Sequence, residues 1–265
     1  MTALALLICV PIVMWAAQTI LLRHHGLPVR WRIDSGDAPR SVRTIGRIIT
    51  QLALLSVILA YPPCRGQPIY EYYTHLLPGT PAMWQGLHGA AASILFLCAL
   101  YAAWIATDRL VVHVHQSRSR WIRRLILLLP TALLGATVEE LLFRGVVMAD
   151  LMKTSWLQPH AALTISILIF AAAHYVRSVK RRWTILGHLM LGCLLCIAFQ
   201  QTHTLWLPIG LHAGGILMIM GARPFTRYRG PAWLTGASIF PFAGVVGLIG
   251  LAILTAFVSH YYGGP

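Results

Sequence analysis

Polar and apolar positions alternate along this chain in long blocks rather than at the spacing of a soluble fold. Eight apolar runs stand out, at about Thr2–Leu22, Ile48–Tyr61, Leu87–Thr107, Leu125–Ala149, His160–Val176, Trp183–Phe199, Leu205–Gly221 and Ile239–Ser259. Runs of about 17–25 apolar residues are the length a helix needs to cross hydrocarbon. In lipid every backbone polar group must be satisfied within the protein, so these runs predict helices. The second run is short and ends on Pro62 and Pro63. The expected fold is all-α, a polytopic membrane protein of about eight transmembrane helices. It is read as one integral-membrane domain over residues 1–265, with no repeat, low-complexity segment or separate soluble domain.

Composition agrees. Apolar residues make up 57% of the 265 positions and charged residues only 11%, against roughly 25% charged in a soluble domain. Mean hydropathy is +0.69. The net charge of +14 would suit a nucleic-acid binder, but its distribution excludes that class. The first loop holds Arg23, Arg30, Arg32, Arg40, Arg43 and Arg47. The third holds Arg109, Arg118, Arg120, Arg123 and Arg124; the fifth Arg177, Lys180, Arg181 and Arg182; the seventh Arg223, Arg227 and Arg229. The second and fourth hold only Arg65 and Lys153. Positive loops stay in the cytoplasm, so the odd loops are expected there and both termini outside. Attraction to anionic lipid headgroups is a secondary consequence. No basic residue precedes the first run and six follow it, which favours an uncleaved anchor over a signal peptide.

Of the five cysteines, four lie in apolar runs, where a thiol behaves as a small hydrophobe. Cys193 and Cys196 form a lone C-x-x-C inside a helix, with no second pair, and read as packing.

Only seven acids are present, and Glu139 and Glu140 are the two placed inside an apolar run, in "GATVEELLFRG". An ionisable group at mid-membrane costs about 2.5–3.5 kcal/mol even on lenient scales and is functional by default. Glu140 and Arg144 are four apart, on one helix face, where a pair lowers that cost and can be purely structural. Glu139 lies about 100° round the helix. Two adjacent carboxylates in low dielectric do not both ionise cheaply, which leaves Glu139 as the candidate general base.

Three intramembrane histidines follow. His174 stands in "FAAAHY", four after Phe170; His188 in "LGHLM"; His212 in "PIGLHAGG". His188 has no polar company and reads as packing. His212 is flanked by Gly210 and Gly214, a G-x-x-x-G that lets a neighbouring helix come close, and Pro208 before it can interrupt the helix. Pro130 divides an interfacial "WIRRLILLLP" from the span proper, which puts Glu139 about 14 Å deep at 1.5 Å per residue. The depths of Glu139, His174 and His212 agree only if a helix is tilted, broken or extended, and a polar cavity opening to the cytoplasm is expected.

"EELLFRG", "FAAAH" and "LWLPIGLHAGG" resemble, in order and separation, the three motifs of the CPBP intramembrane proteases, the CAAX-processing and bacteriocin-immunity group. That pattern is E-E-x-x-x-R, F-x-x-x-H and H-x-x-x-N or a variant. The resemblance covers about Gly135–Met220, a third of the chain, plus the eight-helix layout; the motif-bearing core spans about residues 125–221. It implies peptide hydrolysis inside the membrane, with Glu139 and His174 activating water and His212 stabilising the oxyanion. Glu140, Arg144 and Phe170 would support them. The departure is Ile216, where the pattern has Asn. The implied partners are a membrane-anchored peptide or protein substrate and the bilayer, not nucleic acid. The implied location is a bacterial inner membrane.

Two other classes are weighed. One is a proton-coupled transporter using the same acids and histidines; the amino-terminal half holds no counterpart of "EELLFR", against the paired halves of many transporters. The other is an inactive CPBP-like binding or regulatory protein, which Ile216 favours. No cofactor is expected. Zinc on Glu139, His174 and His212 would fit a three-ligand site with an open position, but no H-E-x-x-H is present and a metal-free site is favoured.

Overall fold

Among the described residues, eight apolar helices form the body of the protein, as the runs predict. The computed structural model describes residues 2–29, 39–80, 82–113, 117–176, 184–236 and 240–263. Its main helices are α1 (Thr2–His24), α2 (Arg40–Cys64), α4 (Met83–Ala106), α5 (Arg118–Glu140), α7 (Pro159–Val176), α8 (Ile185–Thr202), α9 (Trp206–Ala222) and α11 (Val245–Tyr262). Short helices α3 (Ile69–Leu76), α6 (Ala149–Met152) and α10 (Ala232–Thr235) lie between them. Among the described residues, five helical stretches are long and apolar enough to cross a bilayer: Ser41–Cys64, Met83–Ala106, Ser119–Met152, Ile185–Thr202 and Val245–Tyr262. Ile8–His24, Pro159–His174 and Trp206–Ala222 are shorter apolar helices. The protein is an all-α, multi-pass membrane protein. Large apolar side chains face outward along its helices, among them Ile12, Leu52, Leu95, Leu134 and Ile253. An exposed apolar surface of that extent suits lipid, not water.

Three local outcomes differ from the sequence reading. Helix α2 does not stop before Pro62 and Pro63 but carries both in its last turn. Pro62 has no N–H for the Ile58 carbonyl four residues back; the Tyr73 hydroxyl of α3 donates to that carbonyl instead, at 2.5 Å. Helix α5 runs without interruption from Arg118 through Pro130 to Glu140, so no separate interfacial segment forms there. Pro208 does not break α9 either, because it lies in the helix's first turn, where a missing N–H costs nothing. One feature lay outside the all-α expectation: β1 (Leu110–Val112) pairs antiparallel with β2 (Thr226–Tyr228), Val111 opposite Arg227.

Helix α9 is central, packed along α4 and α5, while α8 lies between α7 and α11. The glycines before and after His212 explain part of this. A methyl on Gly210 would strike the Gly86 backbone of α4, and one on Gly214 would strike Ala90 and Ser93 of the same helix. Small residues let backbones approach in the absence of a water-driven force between helices. The G-x-x-x-G face therefore meets α4, and His212, on another side of α9, is left facing α5. The charge asymmetry of the loops falls partly on residues outside the described set, including Arg30, Arg32 and all four cations of the fifth loop.

Candidate active site

The end of α5 changes its winding where the charges are. Leu141–Met148 forms a π-helical segment directly after Glu140, before α6 resumes the α form. Such segments widen the turn, are uncommon, and concentrate at functional sites. Every residue of the segment from Leu142 to Met148 is buried. The Tyr72 hydroxyl of α3 donates to the Gly145 carbonyl within it. Burial, helped by the charge of Asp150, pushes that hydroxyl up to about 12, so it remains a donor at any physiological pH.

Arg144, inside this segment, is wholly buried and has several partners. Its guanidinium lies 3.1 Å from Glu140 Oε2 and 3.2 Å from Glu140 Oε1. It also donates to the Gly192 carbonyl of α8 at 3.2 Å, and its planar head sits 4.5 Å from the centre of the Phe170 ring of α7. One arginine thus ties three helices at a depth where an unpaired cation would be prohibitive. Phe170 in turn packs against His174, with ring centres 4.3 Å apart.

Glu139 points into a cavity instead. Its Oε2 lies 3.2 Å from His174 Nε2 and 3.7 Å from His212 Nε2. The cavity, about 330 Å³, is bounded by α4, α5, α7, α8, α9 and α11, with Phe240 and Phe242 at one end. His174 and Glu139 keep slight exposure, 13% and 16% of their side chains. The His174 Nδ1 is 2.9 Å from the Phe170 carbonyl one turn back. A carbonyl only accepts, so Nδ1 carries a proton, and Nε2 is the nitrogen turned to Glu139.

His212 is placed differently from expectation. Its Nδ1 is 2.8 Å from Glu140 Oε1, closer than its Nε2 is to Glu139. Glu140 therefore holds both Arg144 and His212, and is the joint of the site rather than half of an isolated pair. The histidine is 7% exposed and Glu140 fully buried.

The three positions Glu139, His174 and His212, singled out in the sequence, are thus brought together, with Glu140, Arg144 and Phe170 directly behind them. Ile216, one turn after His212, lines the same cavity. Sequence reasoning missed two groups. His188 lies in this cavity wall and stacks on His174 at 5.0 Å. Asp150, just past the end of the fourth apolar run, is buried like Glu140, accepting from the Ala3 N–H at 3.0 Å and the Tyr61 hydroxyl at 3.3 Å. Its place on the motif-bearing helix was the available signal.

Glu139, His174 and His212 each offer a ligand atom, all within 4.8 Å of one another. One carboxylate and two imidazoles fit a catalytic metal with an open position, and the second nitrogen of each imidazole is held by an oxygen, as metal-bound histidines require.

A helical membrane protein whose charged groups converge on one small internal cavity is the class that fold and site define. Residues 121–218, which carry all three motifs, match the family of type II CAAX prenyl endopeptidase Rce1-like proteins. That match supports kinship with the CPBP, or CAAX protease, family, which is a protease family. No curated protein and no solved structure matches the chain.

Proposed function

We propose that the protein is an intramembrane endopeptidase that hydrolyses a peptide bond of a membrane-associated substrate, lipidated or carrying a sorting signal. The observation that carries this is the approach of Glu139 Oε2 to the Nε2 atoms of His174 and His212 inside a largely apolar cavity.

A water held by both Glu139 and His174 from the cavity side gives up its proton to this pair as its oxygen attacks the scissile carbonyl carbon. The π bond opens and its electrons become the oxyanion. His212, with Nδ1 on Glu140, presents Nε2–H to that oxyanion when the ring carries both protons. Collapse of the intermediate re-forms the carbonyl and breaks the C–N bond, and the amine leaves with the proton first taken from water. Arg144 and Glu140 hold His212 in place throughout. A divalent ion held by Glu139, His174 and His212 would polarise the carbonyl or the water; the steps above need none.

The cavity is lined from the side of the basic loops. His174 is two residues from the end of α7, His188 is four residues into α8, and Phe240 precedes α11. This supports cytoplasmic access, with the odd loops inside and both termini outside; the membrane we propose is a bacterial inner membrane.

The test is cleavage of a membrane-anchored, lipidated peptide by purified protein, with Glu139→Gln and His174→Ala beside it. Both variants are expected to lose activity by 10²-fold or more, on the order of one lost acid–base group. Cleavage by Glu139→Gln at the wild-type rate sinks the mechanism, and loss of wild-type activity on chelation replaces it with a metal-assisted one. The apolar Ile216 in the cavity wall favours one second reading, an inactive CPBP-like binding protein. That reading predicts retention of such peptides without cleavage.

A further inference from the structure

His188 is 2% exposed and lines the cavity beside Glu139, His174 and His212, yet the proposed reaction gives it no step. Its ring lies against that of His174, centres 5.0 Å apart and planes 26° from parallel. His188 is itself firmly held. Its Nδ1 is 2.8 Å from the Thr184 carbonyl one turn back, the same device that His174 uses with Phe170. The edges of Phe240 and Phe242 close on it, at 4.7 and 5.8 Å between centres. The neighbouring Gly187 admits Ala243 so closely that a methyl there would collide with it, which clamps the start of α8 to the turn at Pro241–Ala243.

The hydrogen bond at Nδ1 and the tilted Phe170 ring, 4.3 Å away at 44°, fix where the His174 ring is hinged but do not stack it flat in one plane. The aim of Nε2 at Glu139 depends on that plane. A flat ring in contact with His174, locked by its own hydrogen bond and two aromatic edges, supplies what the hinge leaves open. Being so buried, and set against His174, His188 is suited to act through that ring and not on substrate.

We propose that His188 is a positioning residue for His174, its ring face holding the His174 imidazole in the orientation that directs Nε2 to Glu139. The kinetic half of this rests on the hydrolase reading; the geometric half does not. It gives α8 and the Phe240–Phe242 segment a function in the site, since displacing either would loosen His174.

Two measurements test it, on full-length protein in detergent, with His188→Leu and His188→Phe. The first is a proton–carbon NMR spectrum of histidine-labelled protein, the His174 signal being identified by its loss in His174→Ala. The His174 ring proton is expected to show an upfield ring-current shift in the wild type, to lose it in His188→Leu and to keep it in His188→Phe. The second is steady-state cleavage. His188→Leu is expected to lower kcat by roughly ten- to a hundredfold at unchanged KM, the cost of a misaimed group, and His188→Phe to restore it to within a few-fold. An unmoved His174 signal in His188→Leu overturns the proposal. So does equal loss of kcat in both variants, which would make a ring nitrogen the working part. If the wild type cleaves nothing, the hydrolase reading fails alone, and the spectra still decide whether His188 sets the His174 ring.

Discussion

Glu140 and His212 are joined at 2.8 Å through Oε1 and Nδ1, and this bond links the helix that carries the acids to the helix that carries the last histidine. Because Arg144 holds the same carboxylate at 3.1 Å, Glu140 is a two-sided joint. The adjacent Glu139 has its contacts across the cavity. The two acids should therefore fail differently.

Replacing Glu140 by Ala leaves Arg144 and His212 buried without their shared partner. Breaking a buried pair from one side costs about 3–5 kcal/mol. Glu140→Ala is expected to unfold at markedly lower temperature in detergent, whereas Glu139→Gln, at the cavity wall, should stay close to wild type and lose only activity. Thermal unfolding followed by intrinsic fluorescence separates them. Equal destabilisation of the two would refute the division of labour.

The close approach of α4 and α9 makes a second contrast. A methyl at Gly210 meets the Gly86 backbone, while one at Gly215 meets nothing within 4 Å. Gly210→Ala is expected to cost about 1–3 kcal/mol, the range for an overpacked contact that only a backbone shift can relieve. Gly215→Ala should be neutral or slightly stabilising, since alanine is the better helix former. Comparing the unfolding midpoints of the two variants checks this.

Much of this was legible from sequence for a physical reason. Lipid forbids unpaired backbone, so hydropathy marks the helices, and charge is so costly there that Glu139, Glu140, Arg144, His174 and His212 announce themselves. What hydropathy does not carry is helix winding and the choice of partner. The π-helical segment at Leu141–Met148 has the same apolar composition as an α-helix. The His188 stack is set by how α7 and α8 cross, and no spacing along one helix reports it. The partner of the Gly210 face was likewise open, because small residues show that a helix comes close without showing which. At Pro62 the expectation failed because the carbonyl left over in the helix finds Tyr73, from a different segment.

Tyr72 offers a test of how α3 supports the π-helical segment. Its hydroxyl donates to the Gly145 carbonyl, and a neutral hydrogen bond of this kind is worth about 0.5–1.5 kcal/mol. Tyr72→Phe is expected to lose about that much. The phenol is raised from 10.0 to about 12 by burial, so the folded state binds the proton more tightly. Its contribution is full below pH 10 and is lost as pH rises through about 12. Between those limits the stability of the wild type should therefore fall more steeply with pH than that of Tyr72→Phe. Parallel pH curves would show that Tyr72 is not held as described.

Ile216 is the position where this chain departs from the CPBP pattern that its motifs resemble, and its location makes the departure testable. It follows His212 by one helical turn and lines the same cavity, so in the proposed mechanism a polar side chain there would face the same carbonyl as His212. Oxyanion donors of this kind contribute on the order of 10²–10³ in kcat when removed one at a time. If the site works with His212 alone, Ile216→Asn adds a donor and is expected to raise kcat, by tenfold or more, with little change in KM. The new amide replaces an aliphatic chain of similar size, so the fold should tolerate it, and unfolding in detergent checks that. A fall in kcat with the fold intact would mean that the apolar wall at Ile216 is itself required, for excluding water or for seating an apolar part of the substrate. Activity appearing only in Ile216→Asn would mark the natural chain as a binding protein that keeps the architecture of the protease without its full set of donors.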